Sequence, residues 1–201
     1  MPTKPFAPGK PGAPTVPLIE TPRLAIRAPQ PGDLALLRSR VFGDPEVMRR
    51  VDAGGTLDAT RAAAFVATAL DHDGSGRRPG VLVEKATGEV IGYAGPRACA
   101  AFGDDDIEIG FVLARVAWGK GYATEIGRGQ LAHAFCALGC RRVLGLAAPG
   151  NAASIAVLRR IGMAFACSLD LVGRGRRNVY VALAPVAPAD APRGPVPGVS
   201  D

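Results

Sequence analysis

IEIGFVLARVAWGKGYATE, Ile107 to Glu125, is the stretch on which the fold turns. Ile107 to Ala114 is a short apolar run and reads as a strand. From Tyr122 onward the apolar residues recur at helical spacing, with Gly139 as a stop. Between the two lies the turn Gly119-Lys120-Gly121. A strand that feeds such a turn into a helix N-terminus can hold phosphate. The first N–H groups of the helix are unpaired, and they sit at the positive end of its dipole. Glycine keeps the backbone open to close approach by the anion.

Three phosphate-binding devices begin this way. A P-loop requires glycine five residues before the Gly-Lys pair and Ser or Thr directly after it. Ala114 and Gly121 stand at those positions, so both requirements fail. The dinucleotide fingerprint G-x-G-x-x-G aligns Gly119 and Gly121 but meets Thr124 at its third glycine. The third device depends on what surrounds the turn.

Upstream, Arg23 to Pro29 alternates as a strand, and Pro31 to Phe42 reads as a helix. After the turn Gly43-Asp44-Pro45, a second helix spans Leu57 to Leu70. Val81 to Lys85 and Val90 to Pro96 flank the polar turn ATGE as a hairpin, and a loop with the acidic run Gly103 to Asp106 leads into Ile107. Downstream, Arg142 to Pro149 reads as a buried strand, and Asn151 caps an amphipathic helix that ends at Gly162. FACSLDLV and NVYVAL then flank the turn GRGRR as a closing hairpin. The order β-α-α-β-β-β-α-β-α-β-β describes a mixed α/β fold with antiparallel strands first, one parallel crossover in the middle and a hairpin last. The proline-rich ends predict disordered tails over 1–18 and 185–201, on either side of a single domain over 19–184.

With 201 residues, 48% of them hydrophobic, the chain can bury one sizeable core. Its apolar runs are far shorter than the roughly 20 residues of a membrane span, and no basic-then-apolar leader precedes them. The expectation is a soluble, cytoplasmic protein without a membrane partner. Cys99, Cys136, Cys140 and Cys167 lack the paired spacing of a disulfide framework. His133, Cys136 and Cys140 would share one helix face, but adjacent turns of one helix give poor tetrahedral geometry, so no metal is expected. The net charge of +6 suits a polyanionic ligand. The basic residues are spread along the chain and aromatics are scarce, so specific nucleic-acid binding is not expected.

Taken in order, ETPRLAIRAPQPGD, GEVIGYAG, IEIGFVLARVAWGKGYATE and NAASIAVLRRIGM resemble the GNAT superfamily of acyl-CoA-dependent N-acyltransferases. More narrowly they look like the ribosomal-protein N-terminal acetyltransferases of the RimJ/RimL type. The resemblance spans essentially the whole core. It implies a mostly antiparallel sheet of six to seven strands with a splayed central parallel pair and about four helices. It also implies acetyl-CoA as cosubstrate and no metal. The phosphates would lie on the backbone of Trp118, Gly119, Lys120, Gly121, Tyr122, Ala123 and Thr124, with Lys120 adding charge. The pantetheine arm would pair, as an added strand does, with Phe111, Val112 and Leu113. Asn151 would hydrogen-bond the arm, or cap its own helix.

Amide formation needs a neutral amine, a polarised thioester carbonyl and a proton for the departing thiolate. The resemblance makes Glu108 the general base, acting directly or through water. Many relatives carry a tyrosine seven residues after the asparagine, where this chain has Leu158. Ser154, typical of the RimJ/RimL-like branch, is the candidate to bond the sulfur or relay a proton to it; the alternative is a helix-capping hydroxyl. Trp118 replaces the superfamily's usual Gln or Arg, and Arg115 replaces a frequent proline. The expected acceptor is a primary amine, on a protein N-terminus or a small molecule, and the chain is a monomer or homodimer. A second reading is a degenerate member that binds acyl-CoA as a sensor.

Overall fold

A computed structural model describes residues 16–49, 51, 55–102 and 106–185. Strands β1 (Ile19–Glu20), β2 (Leu24–Arg27), β3 (Gly80–Glu84), β4 (Glu89–Ala98), β5 (Ile107–Leu113), β6 (Arg142–Ala147), β7 (Ala164–Leu171) and β8 (Gly175–Leu183) form one sheet. Its order is β1-β2-β3-β4-β5-β6-β8-β7. Every neighbouring pair is antiparallel except β5 with β6. The helices are α1 (Asp33–Leu37), α2 (Pro45–Met48), α3 (Ala59–Ala69), α4 (Tyr122–Cys136) and α5 (Ala152–Arg160). This is a mixed α/β fold with one parallel strand pair.

The sheet has one more strand than the sequence suggests, because β1 is a two-residue edge strand beside β2. Just before it, Leu18 donates its N–H to Ile26 O at 2.7 Å, at the end of the segment expected to be a tail. Residues 1–15 and 186–201 of the expected tails and residues 103–105 of the acidic loop lie outside the described residues. The helix expected over Pro31 to Phe42 is α1 continued by a π-helical turn, Arg38–Phe42. The extra helix, α2, arises inside the expected turn. Asp44 accepts a hydrogen bond from Glu46 N at 2.9 Å and Pro45 occupies the first helical position, the pairing that starts a helix.

Alternation along β4 and β5 sorts their side chains onto two faces. Tyr93, Gly95 and Arg97 lie opposite Val112, Gly110 and Glu108 respectively. The helices α1 to α3 cover the Tyr93 end of this face, where Leu37, Phe42 and Leu70 pack with Val81, Val90 and Tyr93. On the other face, α4 and α5 pack Leu131, Ala134 and Leu158 against Ile109, Val143 and Tyr180.

The parallel pairing covers only Ile107↔Val143, Glu108↔Leu144 and Ile109↔Gly145. β6 runs on to Ala147 alongside β8. At the first residue past the pairing, Gly110 N–H donates to Gln130 Oε1 of α4 at 3.3 Å. Gln130 is fully buried, and its Nε2 has no partner among the described residues. A helix side chain thus replaces the next ladder bond, and β5 and β6 part there.

Candidate active site

Three consecutive segments shape the end of β5 that points toward α4. A 3₁₀ turn, Arg115–Ala117, is followed by Gly119 at φ +75° and Gly121 at φ +78°. Both values lie in the left-handed region that favours glycine. Gly121 is the N-cap of α4 and no side chain caps the helix. The N–H groups of Tyr122, Ala123 and Thr124 therefore have no intrahelical acceptor, and all three residues line one cavity. Two left-handed glycines before a helix start form a concave row of N–H donors suited to an anion. The glycines serve conformation first, since a Cβ on Gly119 would meet no atom within 4 Å.

Arg23, just before β2, supports this turn. Its Nε donates to Glu125 Oε2 at 2.6 Å, its Nη1 donates to Lys120 O at 3.1 Å, and its guanidinium stacks 4.6 Å from the Tyr122 ring centroid. Trp118 Nε1 donates to Leu113 O at 2.8 Å, which ties the turn back to β5. The Leu113 carbonyl expected to meet the pantetheine arm is therefore already bonded, and Trp118 acts on the turn through its side chain as well as its backbone.

From the turn, a cavity of about 950 Å³ runs along β5 past the splay to Arg97. It is lined by every catalytic and cofactor-binding residue expected from the sequence except Lys120. Asn151 caps α5 by accepting Ser154 N–H at 3.1 Å, and both residues also line the cavity. The Ser154 hydroxyl makes no hydrogen bond among the described residues.

Glu108 lies at the far end, 3% exposed, and is held by two arginines. Arg174 donates from Nη1 at 2.7 Å and Nη2 at 3.0 Å, while Arg97 donates from Nε at 3.3 Å and Nη2 at 3.2 Å. Each carboxylate oxygen accepts from both guanidinium groups, so the roughly four lone-pair sites of the group are filled. Burial alone would raise its pKa, but the Arg174 hydrogen bonds and the charges of Arg97 and Arg174 outweigh burial and hold it below the usual glutamate range. Glu108 is thus an ionised carboxylate engaged on all sides, whose basicity these arginines reduce.

Arg23, Gln130, Gly110, Arg97 and Arg174 are not among the site residues expected from the sequence. For Arg174 one signal exists, the basic turn GRGRR; Arg97 and Arg23 carry none until the pairing of distant strands is known. His133 of the considered metal cluster instead places Nε2 3.0 Å from Gly76 O, and Cys140 lies beyond the end of α4. No group of three metal-ligating side chains occurs among the described residues, and no described helix is long and apolar enough to cross a membrane.

The family model for the acetyltransferase (GNAT) domain matches residues 23–164. The uncharacterised protein YkkB of Bacillus subtilis is 33% identical over 144 residues, covering 71% of this chain and 83% of that protein. A GNAT-family acetyltransferase structure from Bacillus anthracis superimposes with a TM-score of 0.70 at 21% identity, over 82% of this chain and 97% of the other. The ribosomal-protein-S5-alanine acetyltransferase of Vibrio fischeri shares the fold at a TM-score of 0.62 and 16% identity, over 83% of this chain and 96% of that one.

Proposed function

The chain belongs to the GNAT acetyltransferase family, and on that premise we propose that it transfers the acetyl group of acetyl-CoA directly to a primary amine. The observation that carries this reading is one continuous cavity that joins the N–H cradle, the splay and the Glu108 cluster. Gly119 to Thr124 hold the pyrophosphate, with Lys120 adding charge at the turn. Phe111, Val112 and the N–H of Leu113 orient the pantetheine arm at the strand edge left free by the splay, and Asn151 approaches the arm from α5. Acetyl-CoA supplies the thioester. A C–N bond forms as the C–S bond breaks, the amine loses a proton, and the thiolate gains one.

Ser154, which lines the cavity, donates its hydroxyl to the departing sulfur. Glu108 is the carboxylate among the described lining residues, and it takes the amine proton through water when a guanidinium contact on one oxygen lengthens. The motifs WGKG and NAAS support a reading within the RimJ/RimL-like branch, with no metal in the reaction. The saturated Glu108 favours one alternative, a degenerate acyl-CoA sensor.

Purified protein with acetyl-CoA and a panel of amines, polyamines and peptides separates the readings. Thiol release that depends on an amine, with a Ser154→Ala variant losing kcat while binding acetyl-CoA normally, supports the transferase. Tight acetyl-CoA binding without release of thiol to any amine would point to the sensor.

A further inference from the structure

We propose that the acceptor is a small amine bearing a carboxylate and an apolar side chain, the chemistry of an apolar amino acid, and that Arg97 and Arg174 hold its carboxylate. This rests on the acetyl-transfer reading above. The argument starts at the paired glycines Gly95 and Gly110 on the open face of the sheet. A Cβ on Gly110 would meet no atom within 4 Å, so the floor of the cavity is open there, directly beside the splay. That is where an acetyl group delivered through the splay meets its acceptor.

The two directions away from Gly110 differ in chemistry. Toward Val112 the wall is apolar: Val47, Val51, Phe65 and Tyr93, with the last two rings 5.1 Å apart. Toward Glu108, two residues and about 7 Å along the strand, the wall is cationic. Arg97, Arg174 and Arg177 line the cavity there, with Arg77 and Arg78 from the loop after α3, against Glu108 as the carboxylate. One guanidinium neutralises Glu108, and the second is surplus charge facing a cavity. Arg97 spends Nε and Nη2 on Glu108, its Nη1 has no partner among the described residues, and its side chain is 44% exposed.

The cosubstrate's phosphates do not account for this charge. Their cradle begins beyond Leu113, five residues and roughly 17 Å from Glu108 along the extended strand. An amine at Gly110 with an anion on one side and an apolar group on the other is the substitution pattern of an amino acid. Planar guanidinium groups suit the bidentate grip of a carboxylate.

The test compares leucine, methionine and phenylalanine with their amides and with the same residues at peptide N-termini, by acetylation kinetics and by calorimetric binding in the presence of CoA. The free acids are expected to show KM values about 30-fold below those of the amides, as for a lost charge-assisted pair. Arg97→Met should erase that preference and leave acetyl-CoA affinity unchanged. Amides or peptides used as well as the acids, or acids that neither bind nor react, would overturn the proposal. If the acids bind better than the amides but no thiol is released, the carboxylate site at Arg97 and Arg174 stands and the transfer reading fails.

Discussion

The two ends of β5 are built by opposite strategies. Beyond Leu113 the work is done by backbone: two glycines at positive φ and three helix N–H groups, all within six residues of sequence. Around Glu108 it is done by side chains. Arg97 comes from β4, Glu108 from β5 and Arg174 from the β7–β8 turn, 66 residues away from its partner. A universal ligand such as a pyrophosphate can be held by groups that every residue carries. A particular acceptor has to be recognised by groups that only some residues carry, so variation among relatives is expected to concentrate at the Glu108 end.

The sharpest way to break this division is at the boundary. Gly110→Leu projects a side chain into open space at an ordinary strand conformation, so acetyl transfer should disappear while the melting temperature holds or rises. Glycine weakens a strand by roughly 0.5–1 kcal/mol, which sets the direction of the stability change. Retained activity would move the reaction centre away from Gly110.

Glu108→Gln should lower kcat/KM about 100-fold, the scale of losing a proton acceptor. It also has a pH signature. Because the folded pKa is lowered, ionised Glu108 stabilises the protein above its ordinary value of 4.5, and that contribution is lost as pH falls through the lowered value. Urea unfolding across the acid range should show wild type losing more stability than Glu108→Gln, and parallel curves would refute the ion-pair account.

At the other end, Gly121→Ala should weaken acetyl-CoA binding about tenfold by calorimetry, since the left-handed region costs a Cβ-bearing residue roughly 1–2 kcal/mol. Acid-over-amide discrimination should survive that change. The smallest effect is expected for Lys120→Ala, about threefold at low salt and vanishing in high salt, because an exposed charge is screened.

Much of this was legible beforehand, for identifiable reasons. The hairpins, α3, α4 and α5 follow from local periodicity and caps, and the turn before α4 follows from three adjacent residues. α2 escaped because Asp44-Pro45 is both a turn signal and a helix start, and only packing of Val47 and Met48 decides between them. Trp118 could be placed at the turn, but not its bond to Leu113 O.

The amino-acid sequence by itself determined where the chain turns, which strand leads into the Gly119-Lys120-Gly121 turn and which family of folds can hold them, because those depend on neighbours within a few residues. Only the tertiary structure decided that Glu108 is ringed by Arg97 and Arg174, that Gln130 ends the parallel pairing, and that Gly110 opens the floor of the cavity. Each of these depends on strand register and helix packing between distant segments, and elements far apart in sequence carry no local mark of the partners they will meet.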